Sequence, residues 1–298
     1  MNINWFPGHM KKTEGLIKDN LKLVDIVIEL VDARIPLASK NPLIDEIVKN
    51  KPRLIVFNKS DMADDKVTSD WINYYKNNGI KVVKVNSLDG KGFNDVYEGI
   101  NQVLKEKIDK FKEKNLNLVI KMMVVGIPNV GKSSFINKIT KRAGAKTGDR
   151  PGITKGKQWV RIKEGYELLD TPGILWHKFD DEETAKKLAF VGSIKDEILD
   201  VEELAFYLLD FLKNNYPENL KLRYNVDFNE DKDTYELMEE IGRKRGFVIK
   251  GGEIDLTRCA NTILDEFRGL KLGKISLEMP KLWVYLNLIR NLKKKVII

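Results

Sequence analysis

Gly126-Ile127-Pro128-Asn129-Val130-Gly131-Lys132-Ser133 decides how this chain is read. It follows an apolar run, Leu118 to Val125, and opens a helical stretch, the context a phosphate-binding loop requires. Its glycines let the backbone wrap phosphates so that several amides and the helix N-terminus face them. Lys132 is placed to bridge the β- and γ-phosphates, and the Ser133 hydroxyl to bind Mg²⁺. Alone, this loop leaves ATPases, kinases and GTPases open.

Working backward along the chain, Asn58-Lys59-Ser60-Asp61 closes that choice. A carboxylate such as Asp61, in the plane of guanine, accepts from its ring N–H and exocyclic amine, groups that adenine does not present in that pattern. Lys59 would lay its methylenes over the base, and Asn58 would tie this loop to the phosphate loop. Asn86-Ser87-Leu88, at another strand end, is placed to offer backbone amides to the guanine oxygen. In an ordinary GTPase the phosphate loop precedes the base-reading motif; here the order is reversed.

Working forward, Asp170-Thr171-Pro172-Gly173 supplies a carboxylate to hold Mg²⁺ through water and an amide, that of Gly173, to sense the γ-phosphate. The polar segment from Gly148 to Lys155 has the composition of a switch, with Thr154 as the second Mg²⁺-binding hydroxyl. The bland alternative is that Asp170 and Thr154 cap turns. The expected GTP-binding set is Asn58, Lys59, Asp61, Asn86, Ser87, Asn129, Val130, Gly131, Lys132, Ser133, Ser134, Thr154 and Gly173.

The fold class expected is α/β. Ile26–Val31, Arg53–Phe57, Lys81–Val85, Leu118–Val125 and Tyr166–Asp170 have strand character and alternate with helical stretches at 42–50, 69–78 and 93–114. That alternation implies a parallel sheet whose carboxyl-end loops build the site. Beyond about Phe179 the strand pattern stops, and helical spacing follows at 182–212, 234–246 and 256–269. The reading is a P-loop NTPase fold with circularly permuted topology over 1–179, then a smaller all-α domain over 180–298.

The chain has 298 residues, 42% hydrophobic and 32% charged, as expected of a globular protein of one α/β domain plus a smaller one. A net charge of +8 and a pI near 9.2 favour a polyanionic partner, with a merely lysine-rich surface as the alternative. The single cysteine, Cys259, excludes an intrachain disulfide, and no signal or membrane-spanning run is evident, so a cytoplasmic protein is expected.

Taken together, these motifs resemble the circularly permuted GTPases of the YlqF/RbgA family, bacterial factors for assembling the large ribosomal subunit. The resemblance extends to Asn4-Trp5-Phe6-Pro7-Gly8-His9-Met10, to Asp32-Ala33-Arg34-Ile35-Pro36, and to the stretch from Phe267 to Ile275. Two departures stand out: His177 stands where proline is expected, and the tail beyond Pro280 is atypical. The resemblance implies contact with ribosomal RNA through the helical domain and low intrinsic GTP hydrolysis stimulated by ribosomal particles. The precursor of the large subunit and its RNA are the partners expected, not DNA or a membrane, with the chain monomeric.

Ile174 follows the Asp170–Gly173 motif where many GTPases carry a water-orienting glutamine, and its side chain has no such function. His9 is the candidate to orient the water or accept its proton, alongside Lys132, Thr154 and Gly173; structural packing or RNA contact are its alternatives. Asn129 could give its oxygen to K⁺ beside the phosphates, as related GTPases suggest, or make a loop-stabilising hydrogen bond. Arg243, Lys244, Arg245, Arg258, Arg268, Lys271 and Lys274 are the candidate RNA contacts, with a solvated helix face as the alternative. The runner-up function is a GTP-locked RNA-binding module with incidental hydrolysis; a metabolic P-loop ATPase or kinase is a third class.

Overall fold

A computed structural model of the chain describes residues 15, 17–48, 51–142, 159–169, 182–194, 200–229 and 231–280. They divide into two compact units, residues 15–169 with 276–280, and residues 182–275.

The first unit is built on a six-stranded sheet in the order β3-β2-β1-β4-β6-β5. Its strands are β1 (Ile26–Asp32), β2 (Arg53–Asn58), β3 (Val82–Lys84), β4 (Ile120–Gly126), β5 (Trp159–Lys163) and β6 (Tyr166–Leu169). All neighbours are parallel except β5, which runs antiparallel to β6 at the edge. Every residue of β1 is buried, as expected for a central strand covered on both faces.

Side chains alternate across a sheet, so parity sorts them. Val27, Glu29 and Val31 of β1 share a face with Ile55 and Phe57 of β2 and with Met123 and Val125 of β4. That face is covered by α1 (Pro42–Ile47) and α2 (Asp65–Asn77), through Ile44, Val67, Trp71 and Tyr75. Leu54 and Val83 face the other way, toward α3 (Phe93–Val103), whose Gly99 leaves room for both. Phe93 of α3 stacks on Phe135 of α5 (Lys132–Arg142) with centroids 5.0 Å apart.

One helix expected over 93–114 is two. Leu104, at φ −99° and ψ 15°, separates α3 from α4 (Lys105–Glu113), because the apolar stripe of α3 finds the sheet while α4 buries no residue. Strand β5 was not anticipated either: it is short, alternating and at an edge, where the apolar signal is weakest.

The second unit comprises α6 (Glu182–Phe190), α7 (Val201–Asn215), α8 (Pro217–Tyr224), α9 (Thr234–Lys244) and α10 (Leu256–Arg268). The single run expected over 182–212 is broken between α6 and α7: Gly192 takes φ +74°, and Asp200 caps α7 by accepting from the amides of Glu202 and Glu203. Asp233 caps α9 in the same way, and Pro217 opens α8 where a missing N–H costs nothing. The helices bury Leu204, Leu208, Leu212, Leu237, Ile241, Ile263 and Phe267.

The second domain expected to run to residue 298 ends earlier. Residues 276–280 group with the sheet unit, because Leu277 N–H donates to the Arg34 carbonyl at 2.8 Å and Trp71 Nε1 donates to the Glu278 carbonyl at 2.9 Å. The Glu278 carboxylate accepts from the amides of Leu37 and Ala38 at 2.6 and 3.1 Å.

Candidate nucleotide site

The strand order reverses between β1 and β4, since the chain goes from β1 outward to β2 on one side and from β4 outward to β5 and β6 on the other; loops after such a switch point form the ligand crevice of an open parallel sheet. Those loops are residues 33–41 after β1, residues 59–64 after β2, the Asn86–Gly92 loop after β3, and the phosphate loop after β4.

Two positions in the phosphate loop need glycine for close approach. A β-carbon on Gly126 would lie 2.6 Å from the Leu30 carbonyl oxygen, and one on Gly131, at φ +95°, would lie 2.3 Å from Asn58 Nδ2. Asn129 sits at φ +57°, a left-handed conformation that asparagine tolerates better than most residues. Lys132 then begins α5, with Ser133 exposed and Ser134 half-buried in its first turn, so free helical amides face the loop. The Lys132 ammonium donates to the carbonyls of Gly126 and Ile127 at 2.8 and 2.6 Å. Both partners are neutral, and burial pulls the Lys132 pKa down to about 8. A desolvated cation cradled by backbone fits the addition of an anionic phosphate chain.

Asn58 is the hub of the base-reading side. Its Nδ2 donates to the Val130 carbonyl of the phosphate loop at 2.7 Å, while its Oδ1 accepts from Ser87 Oγ at 2.7 Å and from Ser87 N–H at 3.2 Å. One side chain thus joins the loops after β2, β3 and β4, and the tie expected between Asn58 and the phosphate loop is present. The Asn86–Leu88 amides differ from expectation. Ser87 N–H is taken by Asn58, and Leu88 N–H donates to Asn86 Oδ1 at 2.8 Å, so both have partners within the protein. Lys59 takes φ +56° and places its ammonium 3.1 Å from Asp32 Oδ2. Asp61 follows on the same turn, half-buried.

Asp32 heads the Asp32–Pro36 stretch, whose sequence alone assigns it no role. It is buried and receives Arg34 Nε and a terminal Arg34 nitrogen at 2.9 and 2.8 Å. Burial alone would push this carboxyl up, but the charges of Arg34 and Lys59 hold it well below the usual carboxylate range.

Among the Mg²⁺ and catalytic candidates, His9, Thr154, Asp170 and Gly173 lie outside the described residues, as do Ile174 and His177. The candidate RNA contacts divide. Arg243, Lys244, Arg258, Lys271 and Lys274 are exposed. Arg245 instead donates to both oxygens of buried Glu266 at 3.0 and 3.1 Å and lies over the Tyr224 ring. Arg268 donates to the Ala189 and Phe190 carbonyls at 2.7 and 3.0 Å, closing the C-terminal end of α6. These two arginines therefore serve the fold of the helical unit, since their donors face protein acceptors.

A phosphate loop joined through one asparagine to a guanine-reading loop, on a parallel sheet, defines a GTPase. Comparison with known proteins agrees. A family model described as 50S ribosome-binding GTPase matches residues 121–248, and one described as RsgA GTPase matches residues 12–180. The chain is 49% identical to ribosome biogenesis GTPase A of Bacillus cereus, over 94% of this chain and 95% of that one. It is 32% identical to the Thermotoga maritima protein of the same name, over 94% and 95%. A GDP-bound structure of TM YlqF superposes with a TM-score of 0.62 at 30% identity, covering 89% of this chain and 99% of that one. The chain belongs to the ribosome biogenesis GTPase A family. It binds guanine nucleotide and hydrolyses GTP, and the reading as a GTP-locked RNA-binding module with incidental hydrolysis is not favoured.

Proposed function

We propose that this GTPase uses its nucleotide state to control docking on a precursor of the large ribosomal subunit, through ribosomal RNA. What carries the nucleotide half of the reading is the Asn58 hub, which sets the base-reading and phosphate loops in one rigid relation. The partner half is supported by the relatives' name and by exposed Arg243, Lys244, Arg258, Lys271 and Lys274 on the helical unit.

The roles proposed at the site follow from chemistry. Lys132 exchanges its backbone carbonyls for the β- and γ-phosphate oxygens, regaining an anionic partner in a desolvated place. Asp61 accepts from guanine, and the Lys59 stem lies over the base. Ser133, Thr154 and Asp170 would hold Mg²⁺, the last through water. Magnesium, when bound, neutralises charge on the transferred phosphoryl group. Asn129, already in the left-handed conformation that turns the loop, is the proposed K⁺ ligand. His9 is the proposed group that orients the attacking water, with Gly173 sensing the γ-phosphate, and hydrolysis is slow until a ribosomal particle completes the site. Among the described residues no helix is long and apolar enough to cross a membrane. The chain is proposed to act in the cytoplasm as a monomer.

Sedimentation with purified large subunits in GTP and in GDP tests this. Nucleotide-dependent co-sedimentation together with faster turnover is expected; an unchanged hydrolysis rate and equal binding in both nucleotides would overturn it.

A further inference from the structure

Lys59 stands between the hub residue Asn58 and the base-reading Asp61, in a backbone conformation that side chains rarely adopt, φ +56°. Such a residue needs a compensating contact. The contact is the ion pair to Asp32, 3.1 Å long, between a side chain 23% exposed and one 1% exposed. The lysine therefore does not trail into solvent. Its methylenes run from the loop to a buried carboxylate and form a fixed shelf, two residues before Asp61 in sequence.

Asp32 is fixed in turn. Its Oδ1 accepts from Arg34 Nε at 2.9 Å and from Arg34 N–H at 3.1 Å, and its own amide donates to Ser39 Oγ at 2.9 Å. The loop carrying Arg34 is pinned by Leu277 N–H on the Arg34 carbonyl, and by Glu278 on the amides of Leu37 and Ala38. Each part of the shelf thus rests on a buried, hydrogen-bonded part.

We infer that Asp32 is a positioning residue for guanine binding, acting through Lys59: it holds the lysine stem in the place where the base lies. A free lysine side chain samples many rotamers, and ordering it in advance removes that entropy loss from the binding step. Asp32 itself touches neither base nor phosphate. This rests on the assignment of Lys59 and Asp61 to the base.

The test uses the full chain, with GDP and inorganic tripolyphosphate as probes in calorimetry. Asp32→Asn and Lys59→Met should each weaken GDP about tenfold, and the double variant should be no weaker than Lys59→Met alone, because the two act in series. Tripolyphosphate, which has no base, should bind all of them as it binds the wild type. Additive losses, wild-type GDP affinity in Asp32→Asn, or an equal loss for tripolyphosphate would each overturn the inference. Should Asp32→Asn fail to fold because Arg34 is left alone, Asp32→Asn/Arg34→Met removes both buried charges, and the same comparisons apply. Wild-type protein that prefers GDP over ADP no more than Asp61→Asn does would instead defeat the underlying base assignment.

Discussion

Lys132 is half-buried beside neutral carbonyls, and that environment fixes how nucleotide binding depends on pH. Its pKa in the free protein is lowered to about 8 by burial, and an anionic phosphate partner raises it again. The bound state therefore holds the proton more tightly than the free state. Affinity is full below pH 8 and falls above it, by up to about tenfold per pH unit, until the bound form also titrates. Calorimetry of GDP binding at pH 8.5 in buffers of different ionisation enthalpy should show proton uptake, and Lys132→Met should abolish it. Asn58 makes a separate prediction. Asn58→Ala removes the donor to Val130 and the acceptor for both Ser87 Oγ and Ser87 N–H, three buried hydrogen bonds worth about 1 kcal/mol each. GDP affinity should fall at least tenfold, with a lowered melting temperature. At this scale the sequence was informative where chemistry is local: Asn58 is tied to the phosphate loop as its motif implies. It did not show that Ser87 spends its amide on Asn58, or that Arg245 and Arg268 turn inward, because partners 21 to 79 residues away in sequence decide that.

Among the elements, β1 carries an unusual residue. Glu29 lies on the sheet face covered by α1 and α2, and burial raises its pKa to about 7 although the charges of Arg53 and Lys40 oppose this. Its Oε1 has no hydrogen-bond partner. The folded state binds this proton more tightly than the unfolded chain, with its ordinary value of 4.5. The stability it contributes is present below pH 4.5 and lost as pH rises through 7, a change of roughly 3 kcal/mol at most. Glu29→Gln, neutral throughout, should gain on the wild type in urea melts as pH goes from 5 to 8; parallel curves would show that Glu29 is ionised in the fold. The alternating elements were legible because parallel strands buried on both faces read as continuous apolar runs. The break at Leu104 was not, because α3 and α4 share one apolar period in sequence and differ only in what they meet.

For the whole molecule, the segment at 276–280 changes where the helical unit ends. The chain leaves the sheet unit, forms α6 to α10, and returns to lie against the loop after β1. Glu278→Ala would strip the acceptor from the buried Ala38 amide and the part-buried Leu37 amide at a cost of about 1–3 kcal/mol, lowering the melting temperature of the sheet unit by several degrees. Arg268→Ala should destabilise the helical unit yet leave particle binding per folded molecule unchanged. Lys271→Glu/Lys274→Glu should do the opposite, which differential scanning calorimetry beside co-sedimentation will separate. The sequence by itself determined the class of fold, the nucleotide and the reversed motif order. Those depend on residue type at short spacing: glycines where the backbone must approach closely, and an asparagine and an aspartate where a base must be read. Only the tertiary structure decided that Asp32 pairs with Lys59, that two of the candidate RNA arginines are turned to protein acceptors, and that residues 276–280 belong to the sheet unit. Each of these is a buried polar contact between residues brought together by packing, and a buried charge or amide is settled by which partner the fold delivers to it.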